Sequence, residues 1–374
     1  MKTIKDINLK DKNVVLRCDF NVSINDNKII DNTKIVNSIP TIKYLLDNNC
    51  KICILSHLGR VKSEEDKNNN SLRLVAEELA NLLNHEVKFL SRCFGDDVKD
   101  EINKANLGEV ILLENTRFMD YPEKLESSNN EDLAKFWASL GDIFVMDAFA
   151  TSHRKHASTN GISKYLDTVT GFLMDEELKN LDILVNDTPH PFVVFMGGAK
   201  VDDKLPIMKE LLKRCDILLV GGGIANSFLK AMGTDIGNSL ATDDEEILNE
   251  LAQLLMDYKE KIILPTDFIK NDDAIFDIGS ESINNYKQYI DNAEVIFVNG
   301  TCGKYEEEKY SEGTKLLFEE LKNSNKRVIL GGGDTLSAAK VLGFDDCFTF
   351  YSTGGGATLE YVAYRKLNAL EGIE

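Results

Sequence analysis

Five apolar runs in the second half of this chain end in glycine-rich sequence, and no other feature limits the fold so severely. The first, at 191–204, reads Pro191-Phe192-Val193-Val194-Phe195-Met196-Gly197-Gly198-Ala199-Lys200-Val201-Asp202-Asp203-Lys204. A short run rich in β-branched and aromatic residues, broken by two glycines and reopening with amphipathic spacing, predicts a strand, a tight turn and a helix beginning near Asp202. The others occupy 217–226, 295–304, 328–337 and 348–359, and Gly-Gly-Gly stands at 221–223, 331–333 and 354–356. Glycine tolerates positive φ and lets a ligand approach the backbone, so glycines collected at strand ends imply one ligand-facing edge of an open parallel sheet. Lys200 and Lys204 follow the first turn, where backbone N–H groups and the helix dipole favour an anion. The stretch reads as a phosphate cradle.

Strands of the first half end differently. In Asn13-Val14-Val15-Leu16-Arg17-Cys18-Asp19-Phe20-Asn21 the period of two puts Arg17, Asp19 and Asn21 on one face and Leu16, Cys18 and Phe20 on the other. Further apolar runs open into Ser56-His57-Leu58-Gly59-Arg60, Glu114-Asn115-Thr116-Arg117-Phe118 and Asp147-Ala148-Phe149-Ala150-Thr151-Ser152-His153-Arg154-Lys155-His156. Ends of parallel strands converge on one side, so Arg17, His57, Arg60, Arg117, His153, Arg154 and His156 can form one basic pocket. Any one of them alone would read as a surface ion pair, whereas the set reads as an anion site, with arginine forks suited to carboxylate and phosphate. His153 and His156 lie in a cation-rich loop, which favours anion contact over zinc.

The bulk numbers narrow the partners. A net charge of −19 over 374 residues excludes a nucleic-acid or anionic-membrane surface, so basic sites must be local. Seven scattered cysteines fit a reducing cytoplasm, and Cys50 and Cys53 read as small core residues rather than a metal or redox pair. There is no run of transmembrane length and no signal-peptide core at the N-terminus, so a cytoplasmic location is expected. Asparagine-rich patches at 68–70 and 127–130 read as exposed loops.

The length suits two domains. A helical pattern runs from about Asp175 to Val185, and Pro189 and Pro191 around His190 then make a stiff connection. The basic pocket falls before this boundary and the glycine turns after it. Complementary half-sites for a nucleotide phosphate and an anionic acceptor, on domains able to close together, are the layout of a phosphoryl transferase. Competing nucleotide motifs fail: Gly300-Thr301-Cys302-Gly303-Lys304 is no P-loop, no Gly-x-Gly-x-x-Gly occurs, and the protein-kinase motifs are absent.

Taken in order, Leu16-Arg17-Cys18-Asp19-Phe20-Asn21, Ser56-His57-Leu58-Gly59-Arg60, Glu114-Asn115-Thr116-Arg117-Phe118, His153-Arg154-Lys155-His156-Ala157-Ser158-Thr159, Gly197-Gly198-Ala199-Lys200-Val201, Gly331-Gly332-Gly333-Asp334-Thr335 and Ser352-Thr353-Gly354-Gly355-Gly356-Ala357 resemble phosphoglycerate kinase. The resemblance runs along essentially the whole chain. It implies an α/β protein of two Rossmann-like domains, each a parallel sheet flanked by helices, joined by a hinge helix. Residues 1–174 would bind the acceptor, 175–190 would form the interdomain helix and linker, 191–364 would bind nucleotide, and a tail at 365–374 would pack back on the first domain.

The implied activity is reversible phosphoryl transfer between 1,3-bisphosphoglycerate and ADP, with Mg²⁺, in a monomer. By matching position the acceptor contacts would be Asp19, Asn21, His57, Arg60, Arg117, His153, Arg154 and His156. The nucleotide side would be Gly198, Ala199, Lys200, Lys204, Gly223, Asn299, Glu306, Gly333, Asp334 and Thr335. Asp334 would orient the magnesium nucleotide and Glu306 would meet the ribose. Lys34, Lys200, Gly355 and Gly356 would serve the moving phosphoryl group.

Departures from the family pattern bear on rate. Lys34 stands where the family has arginine, so the charge is kept and the planar fork lost. Thr301 replaces a proline and Lys304 adds a cation to the nucleotide loop, Met146 and Ala150 replace asparagine and glycine, and the stretch 267–277 is short. Two alternatives stay open at this point: a kinase acting on another phosphorylated or phosphonylated acid, and a catalytically silent nucleotide-binding protein.

Overall fold

The computed structural model describes residues 2–371, so residue 1 and the end of the expected tail, 372–374, lie outside the described residues. The chain divides into two compact units, one of Met1–Leu178 with Lys366–Glu374, the other of Lys179–Arg365. The division falls inside the helix Phe172–Asp182. That helix starts and stops three residues earlier than the 175–185 pattern. Arg365 belongs to the second unit, and the tail of the first begins at Lys366.

The first unit contains β1 (Asn13–Cys18), β2 (Ile24–Asn25), β3 (Lys28–Ile29), β4 (Lys51–Leu55), β5 (Val87–Leu90), β6 (Val110–Leu113), β7 (Ile143–Asp147) and β8 (Thr168–Thr170). Six of these form a parallel sheet in the order β5-β6-β4-β1-β7-β8, and β2 and β3 pair in a small hairpin. Central strands such as Val-Ile-Leu-Leu of β6 are buried along their whole length, as expected of a sheet covered on both faces. Register sets Arg17 of β1 between Leu55 of β4 and Met146 of β7, so the residues just past these strands gather at one sheet edge. The winding changes direction at β1, where open α/β sheets place their ligands.

The second unit contains β9 (Phe192–Met196), β10 (Ile217–Val220), β11 (Ile262–Ile263), β12 (Phe268–Asn271), β13 (Ala274–Ile278), β14 (Val295–Asn299), β15 (Arg327–Gly331) and β16 (Phe350–Ser352). Its parallel sheet runs β11-β10-β9-β14-β15-β16. The shortened stretch forms the antiparallel hairpin β12–β13, turning at residues 272 and 273 with Asp272 at φ +51°. The helix after β9 begins at Leu205 rather than near Asp202, because Pro206 sits in its first turn, where a fixed φ and a missing N–H suit a helix start; residues 202–204 form a turn.

Two smaller expectations change as well. Asn68 and Asn69 end a short helix, Glu64–Asn69, started by a Ser63 cap, instead of lying in a loop. Asn130 caps the helix Glu131–Ala138 through Leu133 N at 3.0 Å. In the first unit Ala369 N donates to Ser152 O at 2.8 Å and Asn160 Nδ2 to Asn368 O at 2.7 Å, which ties the tail to the loop after β7. Among the described residues no helix is long and apolar enough to cross a membrane.

Candidate active site

In the first unit the edge beyond β1, β4, β6 and β7 carries a cation cluster with its counter-charges tied down. Asp19, 5% exposed, accepts from Asn21 N at 3.1 Å and from Lys34 Nζ at 2.8 Å, and His57 Nδ1 lies 3.8 Å from its other oxygen. Burial pushes the Asp19 carboxyl up, but its polar neighbours, the Lys34 ammonium and the Asn21 N–H among them, outweigh it and hold the group below its ordinary value. Arg17 is buried; its Nε donates to Ser158 Oγ at 3.0 Å, and its Nη2 meets His57 Nδ1 at 3.2 Å. A guanidinium can only donate, so Nδ1 of His57 is an acceptor and Nε2 carries the proton. Burial, reinforced by Arg17 and Arg117, keeps His57 well below the ordinary histidine value, and the ring is a neutral donor.

Arg117 pairs with Asp120 at 3.0 Å, while its Nε is buried with no hydrogen-bond partner among the described residues. His153 Nε2 meets Arg154 Nε at 3.3 Å, and the other ring nitrogen is buried towards the Ala150 backbone. Burial and the neighbouring arginines lower His153 to about 4 and His156 to about 3. Orphaned buried donors are costly unless something external satisfies them. Asn21 is exposed and accepts from Gly59 N at 2.8 Å. Arg60 is exposed, and among the described residues its guanidinium makes no ion pair; only its carbonyl is engaged, by Asn70 Nδ2.

Two residues of this cluster escaped the sequence reading. Glu126, wholly buried, accepts from Ser158 N at 3.0 Å and Ser158 Oγ at 2.5 Å, and its charge faces Arg17 and Arg117. Burial raises its carboxyl above the ordinary value, against the pull of those arginines. Asp120, which holds Arg117, was missed too. The signal for both was a carboxylate within reach of an arginine-ended strand, masked by the polar sequence around 127–130.

In the second unit the glycine turns are stitched together by backbone hydrogen bonds. Gly197 N donates to Asn299 O at 2.8 Å, Gly198 N to Thr301 O at 3.0 Å, and Gly223 N to Gly198 O at 2.8 Å. A Cβ on Gly223 would run into the carbonyl of Ala199, and one on Gly300, which sits at φ +92°, into that of Gly197. Only glycine fits this close approach.

Lys204 Nζ donates to Gly197 O at 2.7 Å; burial lowers it to about 8, against the pull of Asp334. Lys200, Gly333 and Asp334 are exposed, the last two opening the helix Gly333–Val341. Thr335 is buried, accepting from Gly300 N at 2.6 Å, and Asn299 Nδ2 donates to Gly331 O at 2.7 Å while its Oδ1 has no partner among the described residues. Gly355, at φ 56° and ψ −116°, opens the helix Gly356–Tyr364 in a conformation reserved to glycine.

A cleft of about 510 Å³ lies beside these turns, lined by Gly198, Ala199, Gly223, Glu306 and Asp334 and closed on one side by Leu240 and Phe276. Phe276 stacks on Tyr310 at 4.6 Å. The floor includes Asp277, whose oxygens accept from Gly313 N at 2.7 Å and Ile278 N at 2.9 Å and whose carboxyl burial pushes up to about 7. An apolar slot opening on a rim of backbone N–H groups and lysines suits a base at one end and phosphates at the other. Lys304 lines this cleft but is held at 2.5 Å by Glu307, and Thr301 Oγ1 donates to Gly303 O at 3.0 Å, which closes the turn that lacks proline.

A family model described as phosphoglycerate kinase matches residues 4–364. The chain belongs to the phosphoglycerate kinase family. It is 44% identical to the phosphoglycerate kinase of Mycoplasmoides gallisepticum and 42% identical to that of Macrococcus caseolyticus, covering all of this chain and 98% of each relative. The solved phosphoglycerate kinase of Coxiella burnetii superposes with a TM-score of 0.87 at 34% identity, covering 99% of this chain and 98% of that one. A phosphoglycerate kinase from Pyrococcus horikoshii gives 0.85 at 29%, covering 100% and 98%. The fold is thus that of phosphoglycerate kinases, and the chemistry is phosphoryl transfer to a carboxyl group; these likenesses favour no other acceptor.

Proposed function

We propose that the chain catalyses reversible phosphoryl transfer between 1,3-bisphosphoglycerate and ADP, giving 3-phosphoglycerate and ATP. The observation that carries this reading is the cluster of Arg17, Lys34, His57, Arg117, His153 and Arg154 at one sheet edge of a chain of net charge −19, with the buried Arg117 Nε left for a ligand. In the first unit Arg117 and Arg154 would bind the acceptor's phosphate, Arg60 adding charge from its exposed position. His57 would donate through Nε2, while Asp19 and Asn21 would accept from hydroxyl groups. Lys34, anchored by Asp19, would face charge developing on the transferred group.

In the second unit the N–H groups around Gly198, Gly223 and Gly333, with Lys200 and Lys204, would hold nucleotide phosphates, while Leu240 and Phe276 take the base and Glu306 meets the ribose. Gly355 and Gly356 would offer backbone N–H groups to the moving phosphoryl. Among the described residues no three acidic, histidine or cysteine side chains converge as a metal cage, and Asp334 is an exposed carboxylate at the phosphate rim. That suits Mg²⁺, which binds through one or two carboxylates and the substrate's own phosphates. When bound, Mg²⁺ neutralises charge on the transferring oxygens. The test is a coupled assay on purified protein: ATP- and Mg²⁺-dependent formation of 1,3-bisphosphoglycerate from 3-phosphoglycerate is expected. Its absence in folded protein that binds both substrates would overturn the assignment.

A further inference from the structure

A second cleft of the second unit shares no residue with the nucleotide cleft. It encloses about 480 Å³ and is lined by Asp187, Thr188, His190, Lys213, Arg214 and Arg365. Four of the six are basic in type, in a protein with a large acidic excess. Most neighbouring carboxylates are already committed: Asp216 accepts from His190 Nδ1 and Phe192 N, each at 2.6 Å, and Glu210 pairs with Lys213 at 2.6 Å. Asp187 remains on the rim. Among the described residues neither Arg214 nor Arg365 has a carboxylate within ion-pair distance.

Arg214 is partly explained by the fold. Its Nη1 donates to Leu184 O at 3.0 Å and its Nη2 to Val362 O, near the C-terminus of the helix Gly356–Tyr364, where a cation complements the dipole. Those bonds use two of five guanidinium N–H groups. Arg365 has no such account. It is exposed, it ends the same helix in the left-handed conformation at φ +58°, and its charge adds to the burial that lowers the half-buried Arg214. Two guanidinium groups facing one cleft, neither paired with a carboxylate, repel each other unless an anion intervenes.

We propose that this cleft binds a small, multiply charged phosphate-type anion, held by Arg365 and the unspent N–H groups of Arg214, with Thr188, Lys213 and His190 at its edges. Arg214 bridges Leu184 and Val362, which lie near the two ends of the second unit's chain, so the bound anion clamps those segments and stabilises that unit. The site is independent of the catalytic ligands.

Calorimetric titration with inorganic pyrophosphate, at low salt, without divalent metal and with 3-phosphoglycerate and ADP saturating, tests this. Wild-type protein should bind one equivalent, and Arg365→Asn, which keeps the left-handed residue feasible, should weaken binding at least about tenfold. Arg365→Lys should fall between them because the charge stays and the fork is lost. Lys315→Gln, an exposed lysine on another helix, should leave binding unchanged, and pyrophosphate should raise the melting temperature of wild type but not of Arg365→Asn. The proposal is overturned if wild type shows no binding under these conditions, if the Arg365 variants titrate like wild type, or if Lys315→Gln weakens binding as much as Arg365→Asn does.

Discussion

Lys34 donates to Asp19 Oδ2 at 2.8 Å, and the Asp19 side chain is nearly buried beneath it. The ammonium is therefore positioned by a fixed partner, and it offers one compact charge where a guanidinium would offer a second donor pointing elsewhere. Lys34→Met is expected to lower kcat by about 100-fold, the scale of losing one charge stabiliser, with nucleotide affinity unchanged. Lys34→Arg should raise turnover on 3-phosphoglycerate if the site is built for that acceptor. A fall in turnover for the arginine variant in the coupled assay would count against 3-phosphoglycerate as the native acceptor.

Lys204 makes nucleotide affinity depend on pH. Its ammonium, lowered to about 8 by burial, is charged below that value and neutral above it. Affinity for ADP should therefore fall as pH rises from 7 to 9, by roughly tenfold for the loss of one charge-assisted bond. Lys204→Arg stays charged throughout and should flatten the profile. Calorimetry at the two pH values separates the outcomes.

Stability carries two opposing pH windows. Asp147 is held at about 7 by burial against an ordinary 3.8, so between those values the folded state keeps a proton that the unfolded chain releases, and stability falls as pH rises through the window. His153 and His156 behave oppositely: lowered to about 4 and 3 from 6.5, they stay neutral in the fold while the unfolded chain takes up protons, so stability falls as pH drops below 6.5. Thermal melts should show Asp147→Asn gaining on wild type from pH 5 to pH 8. His156→Gln should gain on wild type in the reverse direction. Parallel curves for either variant would contradict the assignment.

Gly300 tests the cradle directly. At φ +92°, with the Gly197 carbonyl where a Cβ would stand, Gly300→Ala has both a strained backbone and a backbone clash. A loss of about 2 kcal/mol or more in stability is expected, with ADP affinity reduced at least tenfold. Binding of 3-phosphoglycerate, a property of the first unit, should be retained in the folded variant.

Much of this arrangement is legible in the sequence because the relevant signals are local. An apolar run followed by glycine marks a strand and its turn, and parallel connectivity brings such ends to one edge, so the Gly197, Gly223 and Asn299 turns could be grouped from spacing alone. The helix start at Leu205 was misplaced because Pro206 governs a first turn more strongly than amphipathic spacing does. Phe276 and Asp277 were missed as cleft residues because nothing in Ala274-Ile275-Phe276-Asp277-Ile278 separates a hairpin strand beside a ligand from any other alternating strand. Glu126 was invisible for a stronger reason: its burial results from packing between distant segments, and its neighbours Ser127 to Asn130 read as solvent-facing.

Ser158 joins those distant segments, and its removal shows whether the buried network sets the acceptor site. Its hydroxyl accepts from Arg17 Nε at 3.0 Å and donates to Glu126 Oε1 at 2.5 Å, while its backbone N–H reaches the other Glu126 oxygen. Ser158→Ala leaves one buried donor and one buried acceptor short of a partner, a cost of about 1–3 kcal/mol, but keeps the backbone bond and therefore the fold. Arg17, freed at Nε, no longer fixes the His57 ring through its Nη2 contact, so the orientation of the His57 Nε2–H becomes less defined. The Michaelis constant for 3-phosphoglycerate should rise severalfold, with that for nucleotide unchanged. Ser158→Thr, which keeps the hydroxyl, should restore much of the acceptor affinity. If Ser158→Ala lowers stability yet leaves the acceptor constant untouched, the network supports folding alone.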